Sequence, residues 1–213
     1  MTHLETEIQE LKTNIVEMWN IVINQISKSQ IALKNFDKSI TYNIQVNEKM
    51  LNTLELKIDK ECESIIAQHN PINADLKFVL VVLKLNNNLE KIGDYAYSIS
   101  KLIEEQELPF SEKLLKSCKV FEMFEICVNL LIDTLDSFEN ENKELLITVF
   151  GKKETFKKIN SDASQKAASY TKNIQDNVNL TISTINIIRT LDIAFDNIQN
   201  IAEEMNFFLD LKK

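Results

Sequence analysis

Apolar residues recur at three- and four-residue steps along almost the whole chain, the signature of helices that bury one face. Leu4, Ile8, Leu11, Ile15, Trp19, Val22 and Ile26 make one stripe, which predicts a first helix over about 4–35 with Trp19 in the core. Asp37 or Ser39 is placed to N-cap a second helix. Its stripe is Ile44, Leu51, Leu54, Ile58, Ile65 and Ile66, and it ends near Asn70-Pro71. Asn73 is expected to cap a third helix reaching about Glu105, with Asp75 in its first turn against the positive end of the helix dipole.

The pattern breaks at Glu107-Leu108-Pro109-Phe110-Ser111, because proline lacks a backbone donor and disfavours helix in the residue before it. Beyond it, Ser111 can cap a fourth helix carrying Leu114, Leu115, Cys118, Phe121, Phe124, Val128, Leu131, Leu135 and Phe138. Glu139-Asn140-Glu141-Asn142 reads as a tight connection. A fifth helix, interrupted or bent near Gly151, runs to about Ile174, and a sixth spans Asp176-Asn177 to about Phe208. Long helices with short connections pack antiparallel around shared stripes. The expected fold class is therefore all-α, two tandem three-helix bundles, with residues 1–108 forming the first and 109–213 the second.

Composition narrows the function. With 2 Gly and 2 Pro in 213 residues, the chain lacks the punctuation a many-stranded sheet needs. A formal charge of -8 argues against a nucleic-acid surface and favours cations or basic partners. Cys62, Cys118 and Cys127 show no CxxC spacing, so buried free thiols in a reducing compartment are expected. The acidic start Met1-Thr2-His3-Leu4-Glu5-Thr6-Glu7 does not resemble a signal peptide, and the apolar run Phe78 to Leu83 is too short to cross a bilayer. These features predict a cytoplasmic protein that is not inserted in a membrane, although it can dock on a membrane protein.

One phrase occurs in each half: Leu89-Glu90-Lys91-Ile92-Gly93-Asp94 and Leu191-Asp192-Ile193-Ala194-Phe195-Asp196. The acids of each copy are one turn apart on one helical face, and each copy has a small residue, Gly93 or Ala194, before its second acid. A single pair of this kind is usually only a solvated face. Repetition at matching places points instead to a repeated site. Antiparallel pairing across Asn70-Pro71 brings Glu48, and with it Glu55, towards Glu90 and Asp94. Such an all-oxygen set suits hard cations such as Mg, Ca, Mn or oxidised Fe, whereas zinc favours His or Cys. His3 and His69 lie outside both phrases. There is no Glu-x-x-His pair, P-loop, dinucleotide turn, GxSxG or HExxH, so no enzyme is expected.

The stretch Asn70-Pro71-Ile72-Asn73-Ala74-Asp75-Leu76-Lys77, followed by Leu89 to Ala96, resembles the PhoU family of phosphate-uptake regulators. Asn47-Glu48, Leu54-Glu55-Leu56-Lys57-Ile58-Asp59 and Asn200-Ile201-Ala202-Glu203-Glu204 extend that resemblance along the chain. It implies tandem bundles whose acid motifs bind metal clusters, often of iron or zinc, with Mn and Mg as further candidates. Glu90, Asp94, Asp192 and Asp196 carry over as ligands, and helix pairing adds Glu48. The resemblance further implies negative regulation between the ATPase-containing phosphate ABC transporter and a sensor histidine kinase. Long amphipathic helices also leave room for a homodimer. In the second half, Gly151-Lys152-Lys153-Glu154-Thr155-Phe156-Lys157-Lys158 stands where an acidic signature would recur, and its lysines can satisfy Asp192 and Asp196 without metal. Asp162 is a further acid near that pair. The alternative reading is a non-enzymatic helical scaffold with no bound metal and a different partner.

Overall fold

A computed structural model describes residues 2–171 and 178–210. The element order is α1 (His3–Asn35), α2 (Lys38–His69), α3 (Asn73–Glu104), α4 (Glu112–Ser117), α5 (Val120–Asn140), α6 (Lys143–Gly151), α7 (Lys153–Thr171) and α8 (Val178–Asp210). There is no strand among the described residues. The expected end of the fifth helix at Ile174 and start of the sixth at Asp176-Asn177 lie outside them.

The first three helices follow the apolar stripes. Leu11, Ile15, Trp19, Val22 and Ile26 of α1 are fully buried, as are Ile44, Leu51 and Ile58 of α2. Asp37 caps α2 by accepting from the Ser39 N–H at 2.8 Å. Asn73 does not cap α3, contrary to the pattern. It is the first helical residue at φ 52°, and Ile72 stands at the cap position without a side-chain bond. Asparagine serves here through its tolerance of the left-handed region rather than as an acceptor.

The expected fourth helix is two helices. Ser111 caps α4 as expected, with its Oγ accepting from the Leu114 N–H at 3.3 Å. The helix then stops at Cys118, and Lys119 takes a left-handed conformation at φ 53° before α5 begins. The fifth helix is interrupted near Gly151 as the sequence suggests, giving α6 and α7 with their junction at Lys152. Left-handed residues at helix ends are Phe36, Asn70, Asn73, Lys119 and Glu141. A chain with so few glycines turns its corners on ordinary side chains, at a cost of about 1 kcal/mol each.

One continuous apolar core runs through both halves. Helices α1, α2 and α3 pack on one another, α8 gathers α5, α6 and α7, and the halves join where α3 meets α8 and α1 meets α5. Aromatic rings stitch that junction: Trp19 and Phe138 lie 5.6 Å apart, Phe78 and Phe138 6.2 Å, and Phe78 and Phe208 6.0 Å. Lys84 of α3 pairs with Glu204 of α8 at 2.8 Å on the rim. All three cysteines are buried free thiols. Burial pushes the Cys62 thiol up to about 12, so it is an inert packing group.

Candidate functional site: two acid pairs on matching helices

Glu90 and Asp94 sit on α3 where it runs against α2, and the pairing brings Glu48 and Glu55 to them. A Cβ on Gly93 would stand 2.0 Å from Leu51 Cδ2 and 3.0 Å from Gln25 Oε1. Gly93 thus leaves room for the Leu51 and Gln25 side chains of α2 and α1, which would have to shift for any larger residue. Glu48 is only 6% exposed, an unusual burial for a carboxyl group. Its Oε2 accepts from Gln25 Nε2 at 3.2 Å, while its Oε1 is buried without a hydrogen-bond partner. The Gln25 carbonyl oxygen is equally orphaned.

Electrostatics follow from this crowding. Burial, reinforced by Asp94 and Glu90, pushes the Glu48 carboxyl up to about 7. Burial together with Asp94 and Glu55 raises Glu90 to about 7 as well. Glu55 is also raised, by burial and by the charges of Asp59 and Asp94. Asn86, fully inside the bundle, fixes the far edge by donating to the Glu55 carbonyl at 3.0 Å and to Asp59 Oδ1 at 2.8 Å. Four carboxyl groups thus crowd together, with the Lys91 charge partly offsetting the rise at Glu90, and three buried oxygens, Glu48 Oε1, Gln25 Oε1 and Asn86 Oδ1, lack donors. That donor set fits a hard cation. Its carboxyl oxygens are more widely spread than a tight three-ligand cage, so water would complete the coordination of any ion there.

The matching pair in the second half has a different neighbour. Lys157 of α7 reaches between the two acids, with its Nζ 2.7 Å from Asp192 Oδ1 and 2.8 Å from Asp196 Oδ1. Burial works against the ammonium charge, but the bonds to both carboxylates win and raise the Lys157 pKa. Beneath it Phe156 and Phe195 stack at 4.0 Å with planes 7° apart, and Lys157 also lies over the Phe195 ring at 5.8 Å. Asp162 is exposed further along α7. Ala194 is fully buried where Gly93 stands in the first copy, so this side of α8 accommodates a methyl group.

The repeated acid phrase pointed to Glu90 and Asp94 and antiparallel pairing to Glu48, and the α2–α3 contact brings the three together. Neither signal reached Gln25 or Asn86. A glutamine in the apolar stripe between Val22 and Ile26 was the available signal for the first. Asparagines looked like helix surface, which holds for Asn88, bonded to the Lys84 carbonyl at 2.8 Å, but not for Asn86.

The fold and site define an all-α chain in which each half presents two acids, one turn apart, to the helix before it. The chain belongs to the PhoU family: the PhoU domain matches residues 15–103 and 120–205. A phosphate-specific transport system accessory protein PhoU homolog from Pseudomonas putida is 25% identical over 201 residues, spanning 92% of this chain and 77% of that protein. The Escherichia coli accessory protein PhoU is 23% identical over 203 residues, covering 95% of this chain and 83% of its own length. The crystal structure of PhoU from Pseudomonas aeruginosa superposes with a TM-score of 0.93 at 21% identity, over 98% of this chain and 99% of that one. The phosphate transport system regulatory protein PhoU from Streptococcus pneumoniae gives 0.85 at 23% identity, over 97% and 96%.

Proposed function

We propose that this chain is a cytoplasmic, non-enzymatic regulator of phosphate uptake and phosphate signalling. It acts as an adaptor between the phosphate ABC transporter and a sensor histidine kinase, and restrains uptake when phosphate is plentiful. Membership of the PhoU family over both matched segments carries this reading, and relatives named as accessory or regulatory proteins of phosphate transport support it. The same two segments support residues 1–108 and 109–213 as two copies of one unit. No helix among the described residues is long and apolar enough to cross a membrane, which suits a docking partner of the transporter rather than a part of its membrane domain.

In this reading the adaptor carries metal at Glu48, Glu90 and Asp94, with Glu55 at the edge. The observation that supports metal there is the buried, partnerless Glu48 Oε1 among crowded carboxyl groups. A bound cation would neutralise that crowding and tie α2 to α3 at the surface a partner meets. Gln25 holds Glu48 in place, and Gly93 lets α1 and α2 come close enough for it to do so. The metal-free scaffold remains the second reading, favoured by the way Lys157 already neutralises Asp192 and Asp196.

Affinity capture of the transporter ATPase subunit and the kinase, from cells grown with abundant and with scarce phosphate, tests the adaptor role. Capture of either partner that changes with phosphate is expected. Equal failure to capture both under both conditions would reject it. Metal content of chelator-free protein, compared with that of E90Q/D94N, separates the two readings, since the scaffold predicts no stoichiometric ion that is lost with these carboxylates.

A further inference from the structure

Both histidines of the chain meet at one corner of the first bundle, although 66 positions separate them in sequence. His3 opens α1, His69 ends α2, and Glu7 lies between them. Glu7 Oε1 is 3.0 Å from His3 Nδ1, and Glu7 Oε2 is 3.0 Å from His69 Nε2. The two imidazole rings stack at 5.4 Å with planes 30° apart. Among the described residues this is the group that brings three ligand atoms all within 4.8 Å of one another.

The corner is held in place from both sides. Thr2 and Glu5 form a reciprocal cap, with Thr2 Oγ1 accepting from the Glu5 N–H at 3.2 Å and Glu5 Oε2 accepting from the Thr2 N–H at 2.8 Å. This fixes the turn that carries His3. Asn70, left-handed at φ 45°, and the buried Pro71 end α2 directly after His69. His3 and Glu7, four residues apart, lie on one helical face, the same spacing that lets one helix supply two ligands to an ion. Two imidazole nitrogens and one carboxylate oxygen form the borderline N/O set that selects zinc and its neighbours rather than magnesium or calcium. Each imidazole nitrogen lies 3.0 Å from a different oxygen of Glu7, and one ligand atom from each residue lies within 4.8 Å of the other two, so small side-chain shifts would bring the three to the separation of adjacent ligands around a tetrahedral ion whose bonds are about 2.0–2.2 Å. The His3 side chain is 78% exposed, so the fourth position opens to water.

We propose that His3, Glu7 and His69 form a divalent-metal site for a zinc-class ion, with water as the fourth ligand. It is separate from the carboxylate cluster: His69 lies 21 residues beyond Glu48 on the same helix, about 30 Å along its axis. The ion would clip the start of α1 to the end of α2. Without an ion, Glu7 is hydrogen-bonded to the His69 ring and lies 3.0 Å from His3 Nδ1, so the three residues are assembled before binding.

Because there are only two imidazoles, a long-range ¹H–¹⁵N spectrum of the tag-free full-length chain resolves the ligands individually. Titration with zinc should move both imidazoles together and be complete at one molar equivalent. H3Q should remove the zinc response of His69, and E7Q should weaken binding by about tenfold or more. The same titration of the E90Q/D94N variant should leave both imidazole responses intact, which separates this site from the proposed carboxylate site. The proposal is overturned if the two imidazoles respond independently or only one responds. It is overturned equally if E7Q titrates like the unaltered chain, or if E90Q/D94N abolishes the response.

Discussion

Glu90 and Asp94 on α3 and Asp192 and Asp196 on α8 occupy the same helical steps, yet the neighbouring helix presents carboxyl groups to one pair and an ammonium to the other. In the first half Glu48 arrives from α2, and like charges in a buried setting drive two carboxyl groups towards proton uptake. In the second half Lys157 arrives from α7 and the charge is balanced within the chain. A duplicated motif therefore does not guarantee a duplicated site. What decides is the helix opposite, and one lysine there can do the electrostatic work of a cation.

The largest expected effect is on cation binding. E90Q/D94N should lower Mn(II) affinity by about a hundredfold or more in calorimetry, on the scale of losing ligands and not only their support, whereas D192N/D196N should leave it unchanged. Equal losses in both variants would erase the contrast between the halves.

Proton linkage comes next. Glu48 and Glu90 bind protons up to about 7 when folded, against an unfolded value of 4.5, so the folded chain holds protons that the unfolded chain has released. Metal-free stability should fall as pH rises from about 4.5 to about 7. Urea midpoints across this range should show that fall, with E48Q/E90Q markedly flatter. An identical slope in the variant would exclude these carboxyl groups as its source.

Replacing Lys157 probes the other side of the comparison. K157Q leaves Asp192 and Asp196 facing each other and should cost about 1 kcal/mol, a modest figure because the pairs are partly solvated. That corresponds to a melting temperature lower by about 3 °C, part of which added Mn(II) should restore. A variant as stable as the original would show that the lysine does not balance this pair.

Effects of similar size to that of K157Q concern the residue before each second acid. G93A pushes a methyl group against Leu51, and the overpacking should outweigh the gain in helix propensity by about 1 kcal/mol. A194G should cost about 1 kcal/mol for the opposite reason, lost helix propensity. Chemical denaturation measures both, and a stabilised G93A would mean that Leu51 moves aside freely.

Much of this architecture was legible because helical burial writes a three-and-four rhythm into the sequence. The stripes of α1 and α2, the Asp37 and Ser111 caps and the Asn70-Pro71 corner all have local chemical signals. The break at Cys118-Lys119 does not, since a left-handed lysine leaves no glycine or proline to mark it. Pairing of α2 with α3 across a short turn made Glu48 accessible to sequence reasoning. Gln25 was not, because it comes from α1 and its role depends on three-helix packing. Lys157 was visible as one of several lysines, but only the register of α7 against α8 selects it. His3 and His69 are ordinary residues in isolation, and the closing of α1 on α2 is what joins them to Glu7.

Anomalous diffraction from crystals grown with Mn(II) tests the central contrast most directly. The account predicts a manganese peak beside Glu48, Glu90 and Asp94, and Lys157 still bridging Asp192 and Asp196 with no peak there. Peaks of equal height at both acid pairs, or a peak at the second pair alone, would contradict it.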